Sequence, residues 1–547
     1  MPYETVFRAP LEIADGQATI SWLNNDKGFQ LDGRNIDVKA KAVHARGGFR
    51  YLQPANDEPW LGILAGISTD DGSQAWRYFP ENLMGKDLVD YLSGAIQGGE
   101  ADNATLVYGG NPQLFPYKHN EGQFEVLVPL RNAKFAFQPD WPALTNLDIE
   151  LDFINDGLWM KTDGVNLGGV RASNLTAVLP DYSKEKLLID ADIKGPGKAV
   201  GPYFDETPLK DSLGATLQEL QLDGDVNARL HLDIPLNGEL VTAKGEVTLR
   251  NNSLFIKPLD STLKNLSGKF SFINGDLQSE PLTASWFNQP LNVDFSTKEG
   301  AKAYQVAVNL NGNWQPAKTG FLPAAVNEAL SGSVAWDGKV GIELPYHAGA
   351  TYNVELNGDL KNVSSHLPSP LAKPAGEPLP VNVKVDGNLN SFELTGQAGA
   401  DNHFNSCWLL GQKLTLDRAI WAADSKTLPP LPEQSGVELN MPPMNGAEWL
   451  ALFQKGAAES VGGAASFPQH ITLRTPMLSL GNQQWNNLSI VSQPTANGTL
   501  VEAQGREINA TLAMRNNAPW LANIKYLYYN PSCLLYTSPS PRDVEES

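Results

Sequence analysis

The chain has 547 residues, of which 41% are hydrophobic and 19% charged, and a formal net charge of -20. That length exceeds what one compact core usually covers, so the chain either holds several domains or buries its core progressively along a repeat. The ordinary composition excludes wholesale disorder, and the acidic balance excludes a nucleic-acid backbone or an anionic membrane surface as a broad partner, since both call for clustered Lys and Arg.

At the start, Met1-Pro2-Tyr3-Glu4-Thr5-Val6-Phe7 has neither a basic opening nor an apolar run. It is therefore not a signal peptide. It reads as the middle of a strand, with Met1 expected to be an internal methionine. No later stretch approaches the ~20 apolar residues that cross a bilayer as a helix. The first helix is expected over Asp87 to Leu92, with Leu88, Tyr91 and Leu92 on one side. Strands follow, marked by alternation with period two. Phe124 to Leu130 alternates with Val126 and Val128 on its apolar side, and Leu147 to Phe153 alternates without a fault. Asn155-Asp156-Gly157 then supplies a turn whose residues tolerate positive φ.

Further along, Pro208 to Leu220 has the helical spacing of Leu209, Leu213, Leu217 and Leu220. Val226 to Ile234 alternates again, and Asn237-Gly238 and Asn274-Gly275 read as hairpin turns. Tyr304 to Leu310, Tyr352 to Leu356 and Val381 to Val385 have the same strand pattern, with turns expected at Asp337-Gly338 and Asp386-Gly387. Pro323 to Leu330 opens on a proline suited to a first helical turn. Asn445 to Gln454 shows an N-cap at Asn445, Glu448 three residues later, and a stripe of Trp449, Leu452 and Phe453. The Pro-rich passages His366 to Pro380 and Leu428 to Pro443 are expected as loops thrown off the sheet, with domain linkers the alternative.

A loose echo joins these elements: Leu92-Ser93-Gly94, Leu222-Asp223-Gly224, Leu266-Ser267-Gly268 and Leu330-Ser331-Gly332 precede strands, most of them after a helix. A glycine in that position can close a helix in the left-handed conformation. The fold class expected from the pattern is mainly β: a long antiparallel sheet with one wet face and a few short amphipathic helices. Residues 1–531 are expected to be one continuous β region with subdivisions near 110, 320 and 365–380. The last stretch, from Cys533-Leu534-Leu535-Tyr536-Thr537-Ser538 onward, resembles the translation of a sequencing adapter. Residues 532–547 are thus expected to be a non-native disordered tail, and the natural protein to continue beyond about Ser532.

Chemistry is hard to find. The two cysteines, Cys407 and Cys533, make neither a disulfide framework nor a metal site. The seven histidines show no ligand pairing, and His231 falls on the polar side of its strand. Gly195-Pro196-Gly197-Lys198-Ala199-Val200-Gly201 misplaces the third glycine of a dinucleotide loop, and Asp190-Ala191-Asp192 lacks the distal Glu of a calcium loop. Acidic pairs such as Asp70-Asp71 read as solvated loops. No catalytic residue, metal or cofactor is expected.

The order of Tyr78-Phe79-Pro80-Glu81-Asn82-Leu83, Leu92-Ser93-Gly94-Ala95-Ile96-Gln97-Gly98-Gly99 and Ala104-Thr105-Leu106-Val107-Tyr108-Gly109-Gly110 resembles the central region of AsmA-like envelope proteins of Gram-negative bacteria. The likeness runs from Met1 to about Ser532. The resemblance implies that the long antiparallel sheet is curled, forming an open, repeating β-groove over residues 1–531 in the periplasm, anchored to the inner membrane by a helix that this sequence lacks. It implies movement of phospholipid toward the outer membrane and support of outer-membrane integrity. Acyl chains would be the ligand, and the two membranes would be reached through portions absent here.

On that implication the lipid-binding candidates are the apolar members of the alternating strands. They are Val126, Val128, Phe135, Phe137, Leu147, Ile149, Leu151, Phe153, Leu230, Leu232, Ile234, Phe270, Phe272, Val306, Val308, Val381 and Val383. For each, a closed sheet core fits the strand pattern equally well. A structural β-scaffold of the envelope with a filled core is the alternative function, and a glycan-active β-solenoid enzyme is a third.

Overall fold

The computed structural model describes residues 7–257, 261–320, 322–457 and 465–529. The strand expected at Met1–Val6 and the non-native tail expected from residue 532 lie outside these residues, as does the side chain of Phe453. The fold is mainly β with a few short helices. It divides into two compact units, Met1–Thr283 with Ser296–Ala301, and Ala284–Phe295 with Lys302–Ser547.

In the first unit, β1 (Ile13–Asn25), β2 (Gly28–Ala40), β3 (Val43–Pro54) and β4 (Trp60–Thr69) form an antiparallel meander. A helical insert follows: a 3-10 turn at Gly72–Tyr78, α1 (Glu81–Met84) and α2 (Lys86–Ala95). The meander resumes with β5 (Ile96–Gly110), β6 (Gln123–Phe135), β7 (Leu144–Ile154), β8 (Gly157–Leu167), β9 (Val170–Leu179) and β10 (Lys186–Pro196), each pairing antiparallel with the next. Next come α3 (Val200–Phe204) and α4 (Ala215–Glu219), then β11 (Leu220–Asp223), β12 (Asp225–Pro235), β13 (Thr242–Ile256), β14 (Ser261–Ile273) and β15 (Asp276–Ser279). The helix expected over Pro208 to Leu220 is two shorter pieces, a π turn at Lys210–Gly214 and α4. The division between units falls within β16 (Leu282–Trp286) and β17 (Gln289–Glu299).

The second unit contains β18 (Ala303–Trp314), α5 (Ala324–Ala329), β19 (Leu330–Gly332), β20 (Val334–Pro345), β21 (Thr351–Asp359), β22 (Val363–Ser365), β23 (Pro380–Asn388), β24 (Ser391–Ala398), β25 (Asn402–Leu409) and β26 (Leu414–Ala423). It ends with β27 (Gly436–Asn440), β28 (Met444–Asn445), α6 (Gly446–Ala457), β29 (Ala465–Ser466), β30 (Ile471–Leu480), β31 (Gln483–Thr495), β32 (Gly498–Gln504), β33 (Ile508–Arg515) and β34 (Leu521–Leu527). Here the antiparallel expectation is corrected, because β26–β27, β26–β29, β27–β30 and β28–β30 are parallel. Residues 424–435 bring the chain back in the same direction, as a crossover must, and the Leu428–Pro443 passage expected as a loop contains β27 itself. At α6 the sequence reading holds: Asn445 Oδ1 accepts from the Ala447 amide and its Nδ2 donates to Glu448.

Two expected turns are strand interiors instead. Gly338 lies inside β20 and Gly387 inside β23. A Cβ at Gly338 would fall 2.7 Å from Leu356, and one at Gly387 would fall 2.7 Å from both Phe392 and Tyr352, so each glycine makes room for side chains from neighbouring strands. The helix-closing role does not hold for Gly224 and Gly332: α4 and α5 are capped by Leu220 and Leu330 at negative φ, and the two glycines, at positive φ, follow β11 and end β19 instead. It fails too at Leu92-Ser93-Gly94, which is still inside α2.

The signal that sequence reasoning missed is asparagine. Asn35, Asn132, Asn146, Asn174, Asn251, Asn265 and Asn487 all have positive φ. All but Asn487 sit where the register slips, as between Leu130 and Ala133 or between Asp190 and Asp192. Asparagine adopts this conformation more readily than other side chains, and each bulge bends its strand and increases the local twist. Five of these precede Ile or Leu: Asn35-Ile36, Asn146-Leu147, Asn174-Leu175, Asn265-Leu266 and Asn487-Leu488. The dipeptide alone is not sufficient, since Asn309-Leu310 lies in β18 without a slip in register.

Candidate functional site

The register shows which candidates share a face. Val126 stands opposite Phe153, Val128 opposite Leu151, and Leu130 opposite Ile149. Phe153 and Leu151 in turn face Leu158 and Met160 across the next ladder. Ile189 faces Leu232, Leu187 faces Ile234 and Ala191 faces Leu230. Leu230 continues to Gly245, which faces Phe272, while Val247 faces Phe270. Within the first unit these side chains form one unbroken apolar face. In the second unit Val306 and Val308 face Ile342 and Val340. Leu356 faces Val383, and Gly358 faces Val381.

The opposite face is wet and ionic. Lys161 pairs with Glu150 at 2.8 Å, Lys186 with Asp233 at 3.0 Å, Lys269 with Glu246 at 2.7 Å and Lys384 with Glu355 at 3.6 Å. His231, expected on the polar side, is there and meets Asp190 at 2.8 Å. Asp190 and Asp192 of the supposed calcium loop are thus ordinary outer-face partners, Asp192 accepting from Asn174. Asp71 caps the 3-10 turn by accepting from the Ser73 amide. Among the described residues no group of His, Cys, Asp and Glu could hold a metal. One carboxylate departs from this pattern. Asp152, beside Trp159 on the outer side of β7, has a buried oxygen with no partner. Burial first, then Glu125 and Glu150, raise its pKa above the usual carboxylate value.

Burial separates the candidates into two groups. Phe135, Leu147, Ile149, Leu151, Phe153, Ile234 and Val306 are buried. Val126, Val128, Phe137, Leu230, Leu232, Phe270, Phe272, Val308, Val381 and Val383 are half-buried. The buried group is concentrated on β7, whose whole inner face is covered, and β8 continues it with Leu158, Met160 and Val165. The cover is the helical insert: Phe79, Met84, Leu88, Val89 and Leu92 belong to the same buried cluster as Leu147 to Phe153. The Phe79 ring lies 6.3 Å from that of Phe153.

On either side of that cover the face is accessible. Strands β2 to β5 border a concavity of about 760 Å³ whose lining includes Phe49, Ile63, Ala65 and Tyr108, with Arg34, Arg46 and Arg50. Asp32 is held below the usual carboxylate range, chiefly by the hydrogen bond from Arg50. At the far end of β5 and β6 the connecting loop folds back. Phe115, Tyr117, Tyr108 and Phe124 form a cluster of tilted and edge-on rings at centroid distances of 5.3–6.2 Å. In the second unit Trp449 of α6 packs with Trp421, Leu439 and Leu473 around Met441 and Leu478, and its indole donates to the Ser369 carbonyl. Chemically the inner face offers apolar contact and little else: it can take up hydrocarbon and leave a polar group in water.

A family model described as "YhdP protein" matches residues 1–546. The chain is 98% identical over 532 residues to a curated protein of Escherichia coli (strain K12), "Intermembrane phospholipid transporter YhdP". The match takes in 97% of this chain and 42% of the relative, so the chain spans less than half of that protein's length. No solved structure matches.

Proposed function

The chain belongs to the YhdP family, and we propose from that premise that it is a middle segment of a bridge that conducts phospholipid between the inner and outer membranes. The observation that carries the reading is the half-buried apolar face that runs from strand to strand within each unit, backed by an ionic outer face. Transferring a ~16-carbon acyl chain through water would expose methylenes at ~0.8 kcal/mol each, roughly 13 kcal/mol in all. A continuous apolar lining offsets nearly all of that while the headgroup stays hydrated. Because lining and bilayer are similarly apolar, passage needs continuity rather than tight binding, and no catalytic group takes part. In the whole protein such a bridge would lie in the periplasm with an inner-membrane anchor, in keeping with the name of the relative.

The ligand contacts proposed are the half-buried candidates, Val126, Val128, Leu230, Leu232, Phe270, Phe272, Val308, Val381 and Val383, with Phe137 at the margin. The buried sector at β7 and β8 favours a second reading, a scaffold with a filled core, for that part of the chain. Organic extraction of the purified chain followed by mass spectrometry separates the two. Co-purifying phospholipid that falls several-fold in Val308→Asp and Val383→Asp supports conduction. A lipid-free chain leaves the scaffold.

A further inference from the structure

If the apolar face conducts lipid, the cover over β7 and β8 stands in the way. Side chains of the insert share one buried cluster with the apolar residues of β7 and β8, the Phe79 ring lying against Phe153, and so occupy a place where an acyl chain would lie. We propose that the insert Asp71–Ala95 is a gate on the trough of the first unit, closed in this structure, which an acyl chain displaces in passing. The proposal rests on the conduit reading above.

Three features suit the insert to that role. It is made of short pieces, α1 of four residues and α2 of ten, which have little helical stability of their own. Between them Gly85 has φ +83, and a Cβ there would meet nothing within 4 Å, so the junction is free to turn. Its polar attachments to the rest of the unit include several that single side-chain substitutions remove. The Tyr78 hydroxyl donates to the Lys41 carbonyl at 2.6 Å, and the Tyr91 hydroxyl donates to the Phe137 carbonyl at 3.1 Å. Arg8 clamps Glu81 of α1 and Asp90 of α2.

The energetics favour exchange over simple opening. Lifting α2 into water exposes the strand face and the helix face together, an apolar loss on both. If an acyl chain takes the vacated place, the strand face stays covered and only the helix face is lost. Lipid thus lowers the work of opening, and the insert closes behind it, keeping water out of an empty trough.

The test uses the full chain carrying a photo-crosslinking side chain at one of two half-buried positions, Leu175 on β9, packed against the covered cluster, or Leu230 on β12. The probe is liposomes of phosphatidylethanolamine and phosphatidylglycerol. The gate is loosened by combining Arg8→Ala, Tyr78→Phe and Tyr91→Phe, which leaves its apolar side chains intact. Hydrogen exchange of the Leu88–Leu92 amides is expected to quicken roughly tenfold or more in that variant, from the lost hydrogen bonds. Lipid adducts at Leu175 are expected to be scarce before loosening and to rise several-fold after it, with those at Leu230 unchanged. Equal labelling of Leu175 and Leu230 before loosening overturns the gate, since the way is then already open. Faster exchange without any rise at Leu175 overturns it too, and makes the insert a fixed wall. Silence at Leu230 in both proteins sinks the conduit reading itself, and the gate with it.

Discussion

Strands β7 and β23 carry the same message in sequence and end in different surroundings. Leu147, Ile149, Leu151 and Phe153 alternate with polar residues, as do Val381, Val383 and Val385. In β7 all four apolar residues are buried, Leu151 being 2% exposed, whereas the three valines of β23 are half-buried. Nothing in the strands themselves accounts for this. What differs is a remote piece of chain: Phe79, Leu88 and Leu92 lie over β7. An alternating strand therefore specifies a wettable and a water-shunning side, and leaves open what the second side will touch.

The sharpest way to break that comparison is a charge on each face. Leu151→Asp is expected to abolish cooperative folding, at a cost of about 4 kcal/mol or more, because the carboxylate would be buried among apolar partners. Val383→Asp is expected to keep the fold at about 1 kcal/mol while losing bound lipid, as the half-open site lets water reach the charge. Equal losses in urea denaturation would mean that the two strands are filled alike. Next in size is the cover itself. Leu92→Ala should cost about 3 kcal/mol by leaving a cavity, against less than about 0.5 kcal/mol for Leu389→Ala in the exposed turn after β23.

A smaller effect concerns Asp152. Its folded pKa is raised above the ordinary 3.8, so folding favours the protonated acid and the ionised group costs stability at neutral pH. That cost is present above the folded pKa and vanishes as pH falls below the unfolded value. Asp152→Asn should raise the urea midpoint at pH 7, by under about 1 kcal/mol given solvent screening, and lose its advantage below the ordinary value. The smallest changes are expected on the ionic face. Lys161→Ala and Lys384→Ala should each shift stability by less than about 0.5 kcal/mol in thermal melts, because both pairs are half-exposed. A large loss at Lys161 alone would show that the outer face of β7 is also specialised.

Much of this fold was legible, because strand alternation and turn chemistry act over a few residues. The runs at Leu147–Phe153 and Val226–Ile234 lie within β7 and β12, and Asn155-Asp156-Gly157 turns between β7 and β8. The errors have a common cause. Asp337-Gly338 and Asp386-Gly387 have turn composition, yet their glycines make room for Leu356, Phe392 and Tyr352 within the sheet. That need is visible only once the register is known. Likewise the parallel pairing of β26 with β27 depends on where a proline-rich passage lands, which no local pattern encodes.

The sequence by itself determined which side of each strand shuns water and where most hairpins turn. It also determined that charge lies on the other side, since period two leaves polar residues nowhere else to go. Only the tertiary structure decided which stretches of the apolar face are covered by the chain and which are left accessible. The physical reason is range. A side chain's direction is set by its own backbone, but its burial is set by residues such as Phe79 and Leu92, which reach β7 only after the sheet has curled to meet them.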